Sequence, residues 1–206
     1  MLKPLRAATA FLVLLALAAC TADNSGPESS RKLAGSFEEL LDQRLSLPDL
    51  NDFEREVYTR AKETGQISQA DYDEAYSRFT ACMAEGGEPI TLQKLKNGVY
   101  RIKTTPLDPG ESLEQAMDVV SACQKTTTGF IPELFQIQQV NPDLLGDSFE
   151  AEYRCLERSG LIPESYSLEK YKKSQLEQPP PGKRSTDDMP FDFQADEVQS
   201  CLLGRM

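Results

Sequence analysis

The chain has no histidine and no tryptophan among its 206 residues. Without histidine there is no Ser-His-Asp or Cys-His nucleophilic site and no imidazole ligand for zinc. The lack of tryptophan weighs against a groove built to stack sugars. No Gly-rich phosphate loop occurs, and no two cysteines stand at the Cys-x-x-Cys spacing of zinc and thiol-redox sites. Cations are also scarce, with 22 Lys and Arg against 33 Asp and Glu for a net charge of −11. An acidic chain repels phosphate backbones, so nucleic acid is not an expected partner. No apolar run reaches the roughly 20 residues that a bilayer-spanning helix needs.

What is present begins at the N-terminus. Lys3 and Arg6 form a short basic region, and the apolar run "FLVLLALAA" follows at 11–19. Its length and flanks are those of an export signal. The run ends in Leu17, Ala18, Ala19 and Cys20, which resembles the lipobox of bacterial lipoproteins. In a lipobox the cysteine receives a thioether-linked diacylglycerol, often with a further palmitate-like chain, and cleavage leaves it as the new N-terminus. An ordinary secretion signal cut after Ala-x-Ala and an uncleaved anchor are the alternatives. A cysteine directly after Leu-Ala-Ala and before a polar stretch favours the lipobox. Two acyl chains hold a protein stably on a membrane where one does not. Loss of residues 1–19 removes Lys3, Arg6 and no acid, which moves the net charge from −11 to −13. Such a body repels anionic headgroups. Residues 20–35 then read as the lipidated cysteine and a flexible tether, rich in Ser, Gly, Asn and Pro.

Four further cysteines remain in a chain expected outside the cytosol, where disulfides persist. They allow three pairings. Around Cys82, Ser68 opens a capping-box pattern, and a helix is expected over about 69–85 with Tyr72, Tyr76, Phe79 and Met83 on one face. Gly86 or Gly87 supplies its left-handed stop. The segment "FEAEYRCLERSG" at 149–160 echoes this region. An aromatic stands six residues before each cysteine (Tyr76, Phe149), an apolar residue follows each (Met83, Leu156), and a glycine stands five after each (Gly87, Gly160). A second helix leads to each later cysteine. One starts at Asp108, Pro109 and Glu111 and carries Leu113, Ala116 and Val120 to Cys123. The other follows Asp192 and carries Phe193 and Val198 to Cys201. The reading is two related units, closed by Cys82–Cys123 and Cys155–Cys201 at separations of 41 and 46. Chance likeness of two amphipathic helices is the competing account of the repeat.

The expected architecture is mainly α with a small β-hairpin. The first unit covers 36–130 with a hairpin at 89–105. The second covers 131–206 with an irregular Pro-rich loop at 179–190. In the hairpin, a two-residue Asn97-Gly98 turn would pair Leu95 with Tyr100. A three-residue loop with Gly98 left-handed pairs Leu92 with Ile102 and Ile90 with Thr104, and it gathers apolar residues on one face, so it is preferred. Ser36 and Glu39 cap a first helix, and Leu50, Phe53, Val57 and Ala61 stripe a second that Gly65 stops. Residues 131–140 form a helix linking the units, and 167–178 form another.

At "RFTACMAEGG" and "VVSACQ" the chain resembles a group of uncharacterised secreted lipoproteins of high-GC Gram-positive bacteria. These share a lipobox, an aromatic-rich helix ending in Cys-Met with a glycine nearby, a short excursion, and a helix ending in Cys-Gln. Here those positions are Cys20, Cys82, Met83, Gly86 or Gly87, Cys123 and Gln124. The second unit departs from the pattern, because Leu156 stands in place of the methionine. The resemblance covers about half of the mature chain. It implies a surface lipoprotein with a structural disulfide, and it implies no activity.

Acids are abundant but unspecific. Asp71, Asp73 and Glu74 lack the loop glycine and terminal glutamate of a calcium hand. They stand at a helix start, where carboxylates favourably meet the dipole. No catalytic residue, metal ligand or cofactor is expected. The functional expectation is a membrane-anchored extracytoplasmic lipoprotein, lipidated at Cys20, that binds an envelope protein or cell-wall partner without catalysis. The alternatives are a carboxylate-dependent envelope hydrolase, which needs two acids flanking a cleft, and a small-ligand-binding lipoprotein.

Overall fold

The structure is a computed structural model, and it describes residues 31–103, 112–177 and 189–202. The signal segment, Cys20, the proposed helix start at Asp108, Pro109 and Glu111, and most of the loop at 179–190 lie outside the described residues.

Local chemistry sets the first three helices. In α1 (Phe37–Leu45) the Ser36 hydroxyl accepts from the Glu39 N–H, while Glu39 reaches back to the Gly35 N–H. α2 (Asp52–Thr64) carries a complete capping box between Asn51 and Glu54 and ends at Gly65 in the left-handed region. α3 (Gln69–Glu85) starts behind Ser68, whose hydroxyl accepts from the Asp71 N–H and donates to the Asp71 carboxylate. Its Tyr72, Tyr76, Phe79 and Met83 are all buried, as their spacing requires.

The hairpin is β1 (Thr91–Lys94) and β2 (Tyr100–Lys103), antiparallel, with Leu92 opposite Ile102 and Lys94 opposite Tyr100. This is the three-residue register. Leu95 N–H donates to Val99 O at 2.8 Å, Gly98 is left-handed, and both Leu95 and Val99 are buried. Thr104, the expected partner of Ile90, is outside the described residues.

α4 (Leu113–Thr126) is capped by Ser112. Its apolar stripe is only partly core. Ala116 and Cys123 are buried, whereas Leu113 is 66% exposed. α5 (Ile131–Val140), α6 (Ser148–Arg158) and α7 (Leu168–Leu176) follow, and α8 (Asp196–Gln199) is a single turn. The final helix is therefore much shorter than expected. Asp192 turns the chain through bonds to the N–H groups of Gln194 and Ala195, and Phe193 lies ahead of the helix.

Both expected disulfides are present, Cys82–Cys123 and Cys155–Cys201. The helices that carry the first cysteine of each unit, α3 and α6, end in the same way. Glu88 N–H donates to Met83 O and Gly87 N–H to Ala84 O; Leu161 N–H donates to Leu156 O and Gly160 N–H to Glu157 O. Gly87 and Gly160 take φ of 86° and 66°, the left-handed residue that this termination needs, whereas Gly86 is right-handed.

Among the described residues most of the buried apolar side chains fall in two clusters. They do not divide at 130/131. Ile131, Leu134, Phe135 and Ile137 of α5 belong to the first, and only Val140 at its end joins the second. The rings of Tyr100, Tyr72 and Phe135 stack through the first, with Tyr72 5.5 Å from Tyr100 and 4.0 Å from Phe135. That stack ties the hairpin, α3 and α5 together.

The tether also ends sooner than residue 35. Leu33 N–H donates to Leu144 O at 2.8 Å, Gly146 N–H donates to Arg31 O at 2.6 Å, and Ala34 is buried. Gly146 permits this approach, because a Cβ there would stand 2.2 Å from Arg31 O. Leu144 holds φ of 52°, a conformation that costs about 1–3 kcal/mol in a non-glycine residue. Burial of its side chain in the first cluster and the Asn141 amide, bonded to both the N–H and the C=O of Leu145, hold the turn there.

Candidate functional site

Cys20, the expected lipidation site, is outside the described residues, but the docking of residues 31–33 shows where the chain that follows it enters the fold. The other four site cysteines are paired, so each acts as a staple. Cys82–Cys123 holds α4 against α3, and Cys155–Cys201 holds the C-terminal turn against α6. Disulfides of this kind belong to oxidising compartments. No helix among the described residues is long and apolar enough to cross a membrane.

The acids at the start of α3 diverge. Asp71 pairs with Arg60 at 2.6 Å, Asp73 with Lys94 at 2.9 Å, and Glu74 with Arg78 at 2.8 Å. Burial pushes the Asp73 carboxyl up, but hydrogen bonds from Lys94 and Gln69 outweigh it and hold the group below the usual range. These three carboxylates fasten α3 to α2, to the hairpin and to itself. Among the described residues no group of three His, Cys, Asp or Glu side chains is placed to hold a metal ion.

A cleft of about 920 Å³ opens among α3, α4, α5 and the segment that leads from α5 into α6. Tyr76 and Phe79 of α3 and Ile137 of α5 line its interior, and Leu33, Phe130 and Leu145 contribute further apolar wall. Its size is within the range of ligand pockets, about 300–1,000 Å³. Three acids line it: Asp49, Glu54 and Glu133. Glu54 is buried and accepts four bonds, from Asn51 N–H and Nδ2 and from Tyr58 Oη and Phe130 N–H. It thereby ties the start of α2 to the turn before α5. Burial, followed by the Glu54 charge, pushes the Tyr58 phenol far above its usual range, so it remains a donor. Glu133 pairs with Arg44 at 3.2 Å, and the Arg44 guanidinium also lies 4.3 Å over the Phe130 ring.

Two other buried polar side chains of the cleft, Gln136 and Asn141, are likewise engaged within the fold. Gln136 Nε2 donates to Leu202 O at 2.7 Å, and the Asn141 amide clamps Leu145. What the cleft offers a ligand is mainly apolar wall, with exposed Ser121, Gln124 and Lys125 along α4.

None of these lining residues is visible as a site in the sequence. Glu54 had a signal, since Asn51-x-x-Glu54 is a capping pattern, but its second role depends on Phe130, which arrives 76 residues later. The units also meet at the hairpin. Gln93 lies 3.2 Å from Asp196, Asn97 Nδ2 donates to Ser200 O at 2.7 Å, and Lys96 pairs with Glu197, so the hairpin docks on the C-terminal turn. In comparisons with protein-family models, curated proteins and solved structures, nothing matches this chain.

Proposed function

We propose that the protein is a membrane-anchored extracytoplasmic lipoprotein of the cell envelope, lipidated at Cys20, whose folded body binds a partner without catalysis. The observation that carries the reading is a pair of disulfide-closed units in a chain whose N-terminal apolar run ends in Leu-Ala-Ala-Cys. The engagement of two of the three acids that line the cleft supports the non-catalytic part. Of the three, Glu54 caps a helix and holds two further donors, Glu133 is paired with a cation, and Asp49 lies apart at the end of the α1–α2 connection. A glycosidase uses two acids that face one another across the scissile bond, with one kept protonated.

Intact mass of the protein from membrane fractions tests the anchor. A diacylglyceryl adduct on Cys20 is expected, and an unmodified Cys20 there overturns it. Crosslinking from the cell surface tests the binding role. Reproducible recovery of a protein or wall partner without turnover supports it, whereas turnover of wall glycan by the purified protein favours the hydrolase. The cleft gives a specific reason to consider ligand binding as well, because residues from both sides of the 130/131 boundary line it.

A further inference from the structure

We infer that the cleft binds an uncharged, largely apolar ring compound with one hydroxyl group, and that this hydroxyl bonds to Thr128. The inference deepens the non-catalytic binding reading above, and it does not depend on the anchor. Its first support is Thr128 itself, which lines the cleft and is 2% exposed. The Thr128 carbonyl accepts the Ile131 N–H at 3.0 Å, but the hydroxyl makes no hydrogen bond with any described residue. The hydroxyl is not fully enclosed, and the opening beside it is the cleft. Buried hydroxyls in native proteins are nearly always bonded. This one takes its partner from the cleft. The turn that carries it is fixed on its other side, where Gly129 N–H donates to Gln124 O and Phe130 N–H to Glu54, both at 2.8 Å. The hydroxyl is thus placed before a ligand arrives, which lowers the cost of binding.

The second support is the charge of the lining. Asp49, Glu54 and Glu133 stand against one cation, Lys125, in a chain of net charge −11. That field repels an anion. A cation finds no free acceptor inside. A carboxylate offers about four lone-pair sites, and Glu54 already accepts from Asn51 twice, from Tyr58 and from Phe130. Glu133 is taken by Arg44, and Asp49 is exposed. A charge drawn in to Thr128 would lose its hydration without replacement. The third support is the wall. Tyr76 and Phe79 meet edge to face with ring centroids 6.3 Å apart, and Ile137 lies on the same lining. Aromatic walls favour rings through offset and edge contacts, beyond the area they bury. Gln136 and Asn141 are bonded within the protein, which leaves Thr128 to meet the ligand's hydroxyl.

The test uses the full chain carrying Cys20→Ser, purified after export with both disulfides formed. Three probes share one apolar body: para-butylphenol, butylbenzene and para-butylbenzoate. Titration calorimetry reads their affinities. One para-butylphenol per chain is expected, with para-butylbenzoate roughly ten-fold weaker or worse. Thr128→Val keeps the shape of the side chain and breaks no hydrogen bond of the fold. It should weaken para-butylphenol about ten-fold and leave butylbenzene unchanged. Thr128→Ser keeps the hydroxyl and should hold para-butylphenol within about two-fold of the parent. Ser121→Trp, at an exposed position of the lining, should abolish binding of both neutral probes. Circular dichroism of every variant should match the parent. A chain that does not bind para-butylphenol overturns the inference, as does a benzoate that binds equally well. So does Thr128→Val if it weakens phenol and butylbenzene alike, or neither. These outcomes leave the lipid on Cys20 and the envelope partner untouched, since mass and crosslinking in cells read those separately.

Discussion

The two disulfide-closed units stop the helices that carry their first cysteines, α3 and α6, with the same left-handed glycine, five residues after the cysteine, yet they fill their interiors differently. Among the described residues the first cluster gathers twenty buried side chains around a stack of Tyr100, Tyr72 and Phe135. The second gathers eight, and two of those are its own cysteines. The excursion between the cysteines differs too, a hairpin in one and the helix α7 in the other. The first excursion lays Tyr100 on α3. The second brings Tyr171, fully buried, onto the equally buried Glu152 with a 2.5 Å hydrogen bond. A shared frame of helix, cysteine and glycine thus tolerates very different filling. The smaller unit leans more heavily on its staple and on its polar pair.

The largest expected effect comes from removing the staples. Each closes a loop of more than 40 residues, so the chain-entropy model assigns each about 4 kcal/mol. The consequences should differ although that figure is the same. Cys155→Ser with Cys201→Ser should abolish amide-exchange protection in α6, α7 and α8 while α2 and α3 stay protected. Cys82→Ser with Cys123→Ser should loosen α4 and leave the aromatic stack folded. Hydrogen exchange resolved by segment reads both. Loss of protection throughout the chain in the first variant would break the comparison, and would mean that the hairpin's contacts with the C-terminal turn make the two units one cooperative body.

How far these features were legible in the sequence depends on their range. Helix starts at Ser36 and Ser68, stops at Gly65, Gly87 and Gly160, and the hairpin register are decided by residues a few positions apart. They follow from capping, turn chemistry and apolar period. The pairing of the cysteines followed from the echo between segments. The docking of Arg31 on Gly146 and the bond from Phe130 to Glu54 were not legible, because each depends on an approach of distant segments that no local pattern records. The last helix misled for a related reason. Phe193 and Val198 sit at plausible helical spacing, but Asp192 accepts local bonds that favour a turn. The cleft was hidden because its lining residues come from several separated stretches, and its α4 wall reads locally as an ordinary amphipathic stripe.

A matched pair of hydroxyl deletions sharpens the comparison at a smaller scale. Tyr72 accepts the Tyr100 N–H at 2.9 Å in the first core, and Tyr171 donates to Glu152 in the second. Tyr72→Phe leaves a half-buried N–H without that acceptor and should cost about 1 kcal/mol. Tyr171→Phe removes a donor from a buried carboxyl group and should cost more, about 2–3 kcal/mol. Chemical denaturation of both variants measures the order. Equal costs would mean that Glu152 contributes no more to its core than a backbone amide contributes to the other.

The smallest effect is electrostatic and depends on pH. Asp147 caps α6 through the Glu150 N–H and pairs with Lys172 on α7, so it joins the two helices of the second unit. Burial raises its pKa, but the bond from Lys172, those from the Glu150 and Phe149 N–H groups and the Lys172 charge outweigh burial and hold the carboxyl below its usual range. Asp73 does the same between α3 and the hairpin in the first unit. A depressed carboxyl stabilises the fold above its unfolded pKa of about 3.9, and that stability disappears as pH falls through the lower folded value. Both side chains are partly exposed, so each pair contributes less than about 1 kcal/mol at neutral pH. Asparagine keeps the cap of α6 and removes the charge. Asp147→Asn should therefore lower the melting temperature at pH 7, and the gap from the parent should narrow as pH falls below about 4. Asp73→Asn should show the same narrowing with a smaller gap, because the first core is better filled. A gap in Asp147→Asn that persists unchanged to pH 2 would place its origin in cap geometry instead, and would remove charge from the account of how the smaller unit is held.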